Sequence, residues 1–283
     1  MKTTILFCAL IFIIGFGSLQ QRTEAQQNNT ENVHNIASGA TVKDSFDNLK
    51  EALLNPDKVV ILSLNSNYHY IKHLSAQIGT LSHLKVLRIG CLENLEELPQ
   101  EIGELKSLEK LIIDNGNGCA MNVGIPSTIG QLTNLKKLTL FGALDYRDEW
   151  GKPDTSKIKK LPSTLANLPN LEELDLGRNG LLTIPDVVWS LKKLKILKLD
   201  FNDFKEIPSS ILNLTHLMVL SVSCNYHLKL PDCLNEMKGL QVHINEFYPL
   251  GPYTKQEQQS EHKKEEELKK RFPDIIFTFE ECD

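Results

Sequence analysis

Between Leu171 and Leu214 the chain repeats itself with a period of 23 residues. Leu171, Leu174, Leu176, Asn179, Leu181, Ile184, Pro185, Val188 and Leu191 are followed at identical offsets by Leu194, Leu197, Leu199, Asn202, Phe204, Ile207, Pro208, Ile211 and Leu214. A third copy runs through Leu217, Leu220, Val222, Asn225, Leu230, Pro231, Leu234 and Met237. The same frame begins earlier at Val59, Leu84, Leu108 and Leu135 and later near Gly239, and the extra residues of the early copies fall between the Asn position and the Leu-Pro or Ile-Pro pair. A unit this short cannot bury its own apolar face, so the copies must stack, each covering its neighbour.

The Leu-x-Leu core of each copy alternates with period two, which makes a short strand with leucines inward and the intervening residues outward. Stacking such coils pairs each strand in parallel with the next. An asparagine at the strand's end, as at Asn67, Asn179, Asn202 and Asn225, is expected to turn inward and satisfy backbone groups that water cannot reach. Pro126, Pro162, Pro185, Pro208 and Pro231 fix the backbone where the chain leaves that bend, with Ser75 in the first coil. Solenoids need covered ends. Phe46, Leu49 and Leu53 at helical spacing, with Asp44 or Ser45 as N-cap and Asn55-Pro56 as stop, predict a capping helix within 42–58. After the repeats at 59–247, the charge-rich run 257–271 predicts a helix and the alternating 275–279 a last strand, together a C-terminal cap over 248–283.

These residues resemble the leucine-rich repeat family in its short Leu-Pro-x-x-Ile-Gly-x-Leu variety, found in plant intracellular repeats, Ras-associated repeat proteins and exported bacterial proteins. Glu97-Leu98-Pro99-Gln100-Glu101-Ile102-Gly103-Glu104-Leu105 carries the phrase intact. The ending Phe272-Pro273-Asp274-Ile275-Ile276-Phe277-Thr278-Phe279 is similar to the closing segment of bacterial members. The resemblance implies an α/β fold: a leucine-rich repeat solenoid, or horseshoe, with a parallel concave β-sheet of about eight coils, an N-terminal helical cap and a C-terminal helix-strand cap. It also implies that the concave sheet is the binding surface.

Ahead of the repeats, Lys2 precedes an apolar run from Ile5 to Gly17, and Thr23 and Ala25 are small residues suited to signal-peptide cleavage after Ala25. The expectation is a signal peptide at 1–25, a polar leader at 26–41, and a secreted or periplasmic chain without a membrane span once the signal is removed. An uncleaved anchor is the alternative. The five remaining cysteines would then meet an oxidising compartment. Cys91 and Cys119 follow neighbouring strands and are candidates for a bridge, and Cys282 with Cys224 or Cys233 is a second possibility.

Chemistry is sparse. There is no Cys-x-x-Cys, no His-Glu-x-x-His, no Gly-x-Ser-x-Gly and no phosphate-cradling glycine loop, so no metal, cofactor or catalytic residue is expected. Only 36 residues follow the last repeat, too few for an appended enzyme domain. The net charge of -5 offers no basic field for nucleic acid.

What the outward strand positions do offer is an interface. Ile112, Thr139, Asp175 and Lys198 form part of one column, Asp114, Phe141 and Asp200 part of the next, and Arg178 and Phe201 lie one residue further. Apolar side chains have little reason to face water there, whereas an interface wants aromatic anchors ringed by polar groups. The long insertion after Phe141 adds Tyr146 and Trp150 at the edge of the same patch. The expected function is a non-catalytic, monomeric module that grips a protein partner. An intracellular or membrane-anchored scaffold of the Ras-group type, and a carbohydrate-binding adhesin, are the alternatives.

Overall fold

The computed structural model describes residues 45–65, 71–90, 92, 94–115, 122–144, 160–245 and 255–279, all within one compact unit, Ser45–Cys282. Its backbone is a single ten-stranded sheet in which every strand pairs in parallel with its neighbour in chain order. The strands are β1 (Ser45–Phe46), β2 (Ile61–Leu64), β3 (Val86–Gly90), β4 (Lys110–Asp114), β5 (Lys137–Phe141), β6 (Glu173–Asp175), β7 (Ile196–Lys198), β8 (Val219–Ser221), β9 (Gln241–His243) and β10 (Ile276–Thr278). Eight of them, β2 to β9, are the repeat strands, and β1 and β10 extend the sheet at its two ends. The fold is thus an α/β leucine-rich repeat solenoid.

The period-two pattern explains the core. Leu62, Leu87, Leu111, Leu138, Leu174, Leu197, Leu220 and Val242 share one register line and are all wholly buried. From the opposite side Ile78, Ile102, Ile129, Leu165, Val188, Ile211 and Leu234, each wholly buried, project from one-turn 3-10 helices such as Gln100–Glu104 and Ser209–Asn213. A proline sits at the N-cap of these turns from Pro99 to Pro231, where its fixed φ suits the extended cap geometry and no amide hydrogen is needed. In the first coil Ser75 holds that place, its hydroxyl accepting from the Gln77 amide at 3.3 Å.

The N-terminal end differs from the helix that its apolar spacing predicts. Ser45 and Phe46 pair with Ile61 and Leu62 as a strand, and the helix, α1 (Leu49–Ala52), is a single turn capped by Asn48, whose side chain accepts from the Glu51 amide at 3.2 Å. An open edge of β2 rewards pairing more than an isolated turn of helix rewards extension, and Asn55-Pro56 stops the helix on the other side. At the far end α2 (Lys255–Arg271) leads into β10. The Arg271 guanidinium bonds the Asp232 carboxylate at 2.6 and 2.8 Å and the Leu230 carbonyl at 3.0 Å. Phe272 is wholly buried beside it. No helix among the described residues is long and apolar enough to cross a membrane.

Candidate functional site

The sheet face turned away from the core carries three side-chain columns, aligned by the register of the strands. The first reads Ile61, Val86, Lys110, Lys137, Glu173, Ile196, Val219 and Gln241; the second reads Ser63, Arg88, Ile112, Thr139, Asp175, Lys198, Ser221 and His243. The third begins with Asn65, Gly90, Asp114 and Phe141 and continues, past the shorter strands, with Gly177, Asp200 and Ser223.

Beyond the third column the chain turns sharply. Gly142, Arg178, Phe201 and Cys224 occupy the same offset in four successive coils, all with φ between 56° and 62°. This left-handed conformation is strained for a side-chain-bearing residue. It throws the next residue inward. There Asn179, Asn202 and Asn225 are buried and each bonds across to an adjoining coil. Asn202 donates to the carbonyls of Leu176 and Leu199 at 3.0 Å and accepts from the amides of Asn179 and Leu181 at 3.2 and 3.0 Å. In the coil of β5 Ala143 takes the asparagine's place, and Asn179 reaches back to serve that coil too, bonding the Leu140 carbonyl at 2.7 Å and the Leu144 amide at 2.9 Å.

The left-handed turn also places the Phe201 ring. Phe141 and Phe201 meet edge to face with centroids 6.5 Å apart, although their strands are separated by β6. Gly177 makes the approach possible: a Cβ there would stand 2.7 Å from Phe141 Cδ2. Both rings remain half-buried, so they pack on the scaffold and on each other while keeping an outward surface.

Charge is arranged around this pair. Asp175 Oδ1 accepts from the Gly177 amide at 2.9 Å, and burial pushes its carboxyl up to about 6, with the Gly177 bond and Lys198 opposing and Asp200 and Asp114 adding. Asp200 is also raised by burial, against the pull of Ser221 Oγ at 2.7 Å and the Ser223 amide at 2.8 Å. On the other flank burial lowers Arg88, opposed by Asp114, and lowers Lys110, aided by the charge of Lys137. Between the two signs Glu173 bonds Lys137 at 2.8 Å and lies 3.8 Å from Lys198.

Of the residues expected to meet a partner, Ile112, Phe141, Asp175, Arg178, Lys198, Asp200 and Phe201 are half-buried on this face and Asp114 is exposed. Thr139 stands apart from these. It is only 6% exposed, a short side chain between the taller Ile112 and Asp175 on the flanking strands, and offers a partner little. Tyr146, Trp150, Asn67, Cys91 and Cys119 lie outside the described residues. Lys110, Lys137 and Glu173, not among the residues expected to meet a partner, stand in register in the first outward column, where the same alternation puts them. Among the described residues no group of three or more His, Cys, Asp or Glu could hold a metal ion.

A family model described as leucine rich repeat matches residues 155–204. The volume-regulated anion channel subunit LRRC8D of Homo sapiens is 30% identical over 158 residues, which is 55% of this chain and 16% of that protein. Two proteins of Arabidopsis thaliana are similar: SUPPRESSOR OF npr1-1, CONSTITUTIVE 1, at 28% identity over 58% of this chain and 13% of its own length, and disease resistance-like protein DSC1, at 27% over 61% and 15%. The chain therefore covers about a sixth or less of these relatives. A solved plant peptide hormone receptor, RGFR1 in complex with RGF2, aligns over 71% of this chain and 33% of its own with TM-score 0.40 and 21% identity. The family model and the curated relatives support a leucine-rich repeat protein.

Proposed function

We propose that this chain is an exported, non-catalytic module that binds a protein partner through the outward face of its sheet, centred on β4 to β7. One observation carries the reading: the Phe141–Phe201 pair keeps its ring surface turned outward amid Asp114, Asp175, Asp200 and Lys198, where folding alone would be as well served by small polar residues. Aromatic anchors within a charged surround are the usual make-up of a binding hot spot. Export is supported by the apolar run from Ile5 to Gly17 with Thr23 and Ala25 after it.

The test is affinity capture from culture fluid and cell extracts with the chain from residue 26, beside the same chain carrying Phe141→Ala and Phe201→Ala, with mass spectrometry of what is retained. A partner held by the first and lost from the second supports the reading. Identical capture by both, with both proteins folded, sinks it.

A further inference from the structure

Two groups on the outward face are crowded by their own sign. Lys110 and Lys137 are direct register partners on β4 and β5, a placement that opposes folding for like charges, and Arg88 on β3 adds its charge, itself offset by Asp114. Lys137 is neutralised by Glu173 at 2.8 Å, whereas Lys110 makes no ion pair within 4 Å among the described residues and is offset only from further away by Glu173 and Glu109. Two strands on, Asp175 and Asp200 crowd in the opposite sense, and Lys198 beside them is shared with Glu173. The fold does not require charge in the first column, since Ile61, Val86, Ile196 and Val219 fill it in other coils. Crowding that the scaffold does not need is balanced most simply by a ligand.

From strand spacing and rise, Lys110 and Asp175 are about 12 Å apart on the sheet, and an extended peptide sets same-face side chains four residues apart at about 13 Å. We propose that the segment recognised here is extended and dipolar: it brings a carboxylate to Lys110 and, four residues away, an arginine or lysine to Asp175 and Asp200, with Phe141 and Phe201 covering its apolar flank. This rests on the reading of the outward face as the binding surface. Opposed charges of this kind select partners by rejecting the wrong sign as much as by attracting the right one.

The probes are fluorescein-labelled nonapeptides in a constant alanine-threonine frame, with Glu and Arg four residues apart in either order, and Glu/Glu, Arg/Arg and Ala/Ala controls. Binding to the full chain is read by fluorescence anisotropy at low salt. The Glu/Arg peptides are expected to bind about tenfold more tightly than either like-charged peptide. Lys110→Glu is expected to shift the preference to Arg/Arg, and Lys110→Met to erase discrimination between Glu and Ala at that place; circular dichroism shows that both variants fold. A ranking that ignores charge, a ranking unmoved by Lys110→Glu, or no binding by any peptide overturns the dipolar assignment. Equal binding of all peptides that Phe141→Ala weakens throughout overturns it while leaving the outward face as the binding surface. Absence of peptide binding together with identical capture by the Phe141→Ala, Phe201→Ala protein overturns both.

Discussion

The coils of β2 to β5 and those of β6 to β9 solve the same stacking problem differently. In the first group the strands run four or five residues, and glycine follows the buried isoleucine of the 3-10 turn at Gly79, Gly103 and Gly130. A Cβ at Gly130 would stand 2.4 Å from the Thr164 carbonyl oxygen. The coil of β5 already lacks this glycine, with Ala166 at that place; in the second group the strands have three residues, and the same turn position holds Trp189, Leu212 and Asn235. Cohesion there comes from the asparagine bonds across the front. One half is thus held by close backbone contact behind the sheet, the other by a polar ladder beside it. The Phe141–Phe201 pair bridges the two halves.

The difference is open to attack from either side. The largest effect belongs to the ladder: Asn202→Ala strips partners from several buried backbone groups and is expected to lower stability by about 4 kcal/mol in urea denaturation. Asn115→Ala, which removes a single bond to the Gly142 carbonyl at 3.2 Å, should cost about 1 kcal/mol. Equal losses would break the comparison.

Next comes Asp175. Its folded pKa, about 6, is raised above the ordinary 3.8, so the folded state binds more protons than the unfolded one between those values, and stability is lost as pH rises through that window. Asp175→Asn is expected to stabilise the protein above pH 7 by at most about 3 kcal/mol and to leave it unchanged at pH 3.5. Thermal melts at the two pH values check this, and a gain that does not depend on pH would refute it.

Gly130→Ala should cost about 2 kcal/mol through forced separation of neighbouring turns, against about 1 kcal/mol for Leu212→Ala at the equivalent place. Smallest is Arg271→Ala, expected to remove about 1 kcal/mol. Native-state hydrogen exchange should show it loosening α2 and β10 while β3 to β5 keep their protection. Uniform loosening would mean that the two halves are not independent.

Much of this was legible in the sequence. A strict offset pattern names the buried residue of every strand and turn, because each position meets the same neighbours in each coil. Legibility failed where the neighbour changes. The N-terminal helix shrank because β2 had an edge to pair, which no local signal in Ser45-Phe46 announces. Thr139 looked outward and is outward, but its exposure depends on the height of Ile112 and Asp175 on other strands. In the sequence Phe141 and Phe201 stand as two separate anchors, sixty residues apart. Their contact depends on Gly177 and on the left-handed turn at Phe201, a conformation that a phenylalanine gives no reason to expect.

The shared register of β6, β7 and β8 also bears on how such a surface can change. Duplicating one 23-residue period would present the same asparagine bonds to both new neighbours and leave the interior indifferent. Outside, everything beyond the duplication would move by one strand spacing, about 4.8 Å. Placed between the coils of Asp175 and Asp200, such an event would lengthen the distance between carboxylates by a fixed step. The solenoid then acts as a ruler whose divisions are set by coil count, so that reach along the face and integrity of the core can evolve as separate quantities.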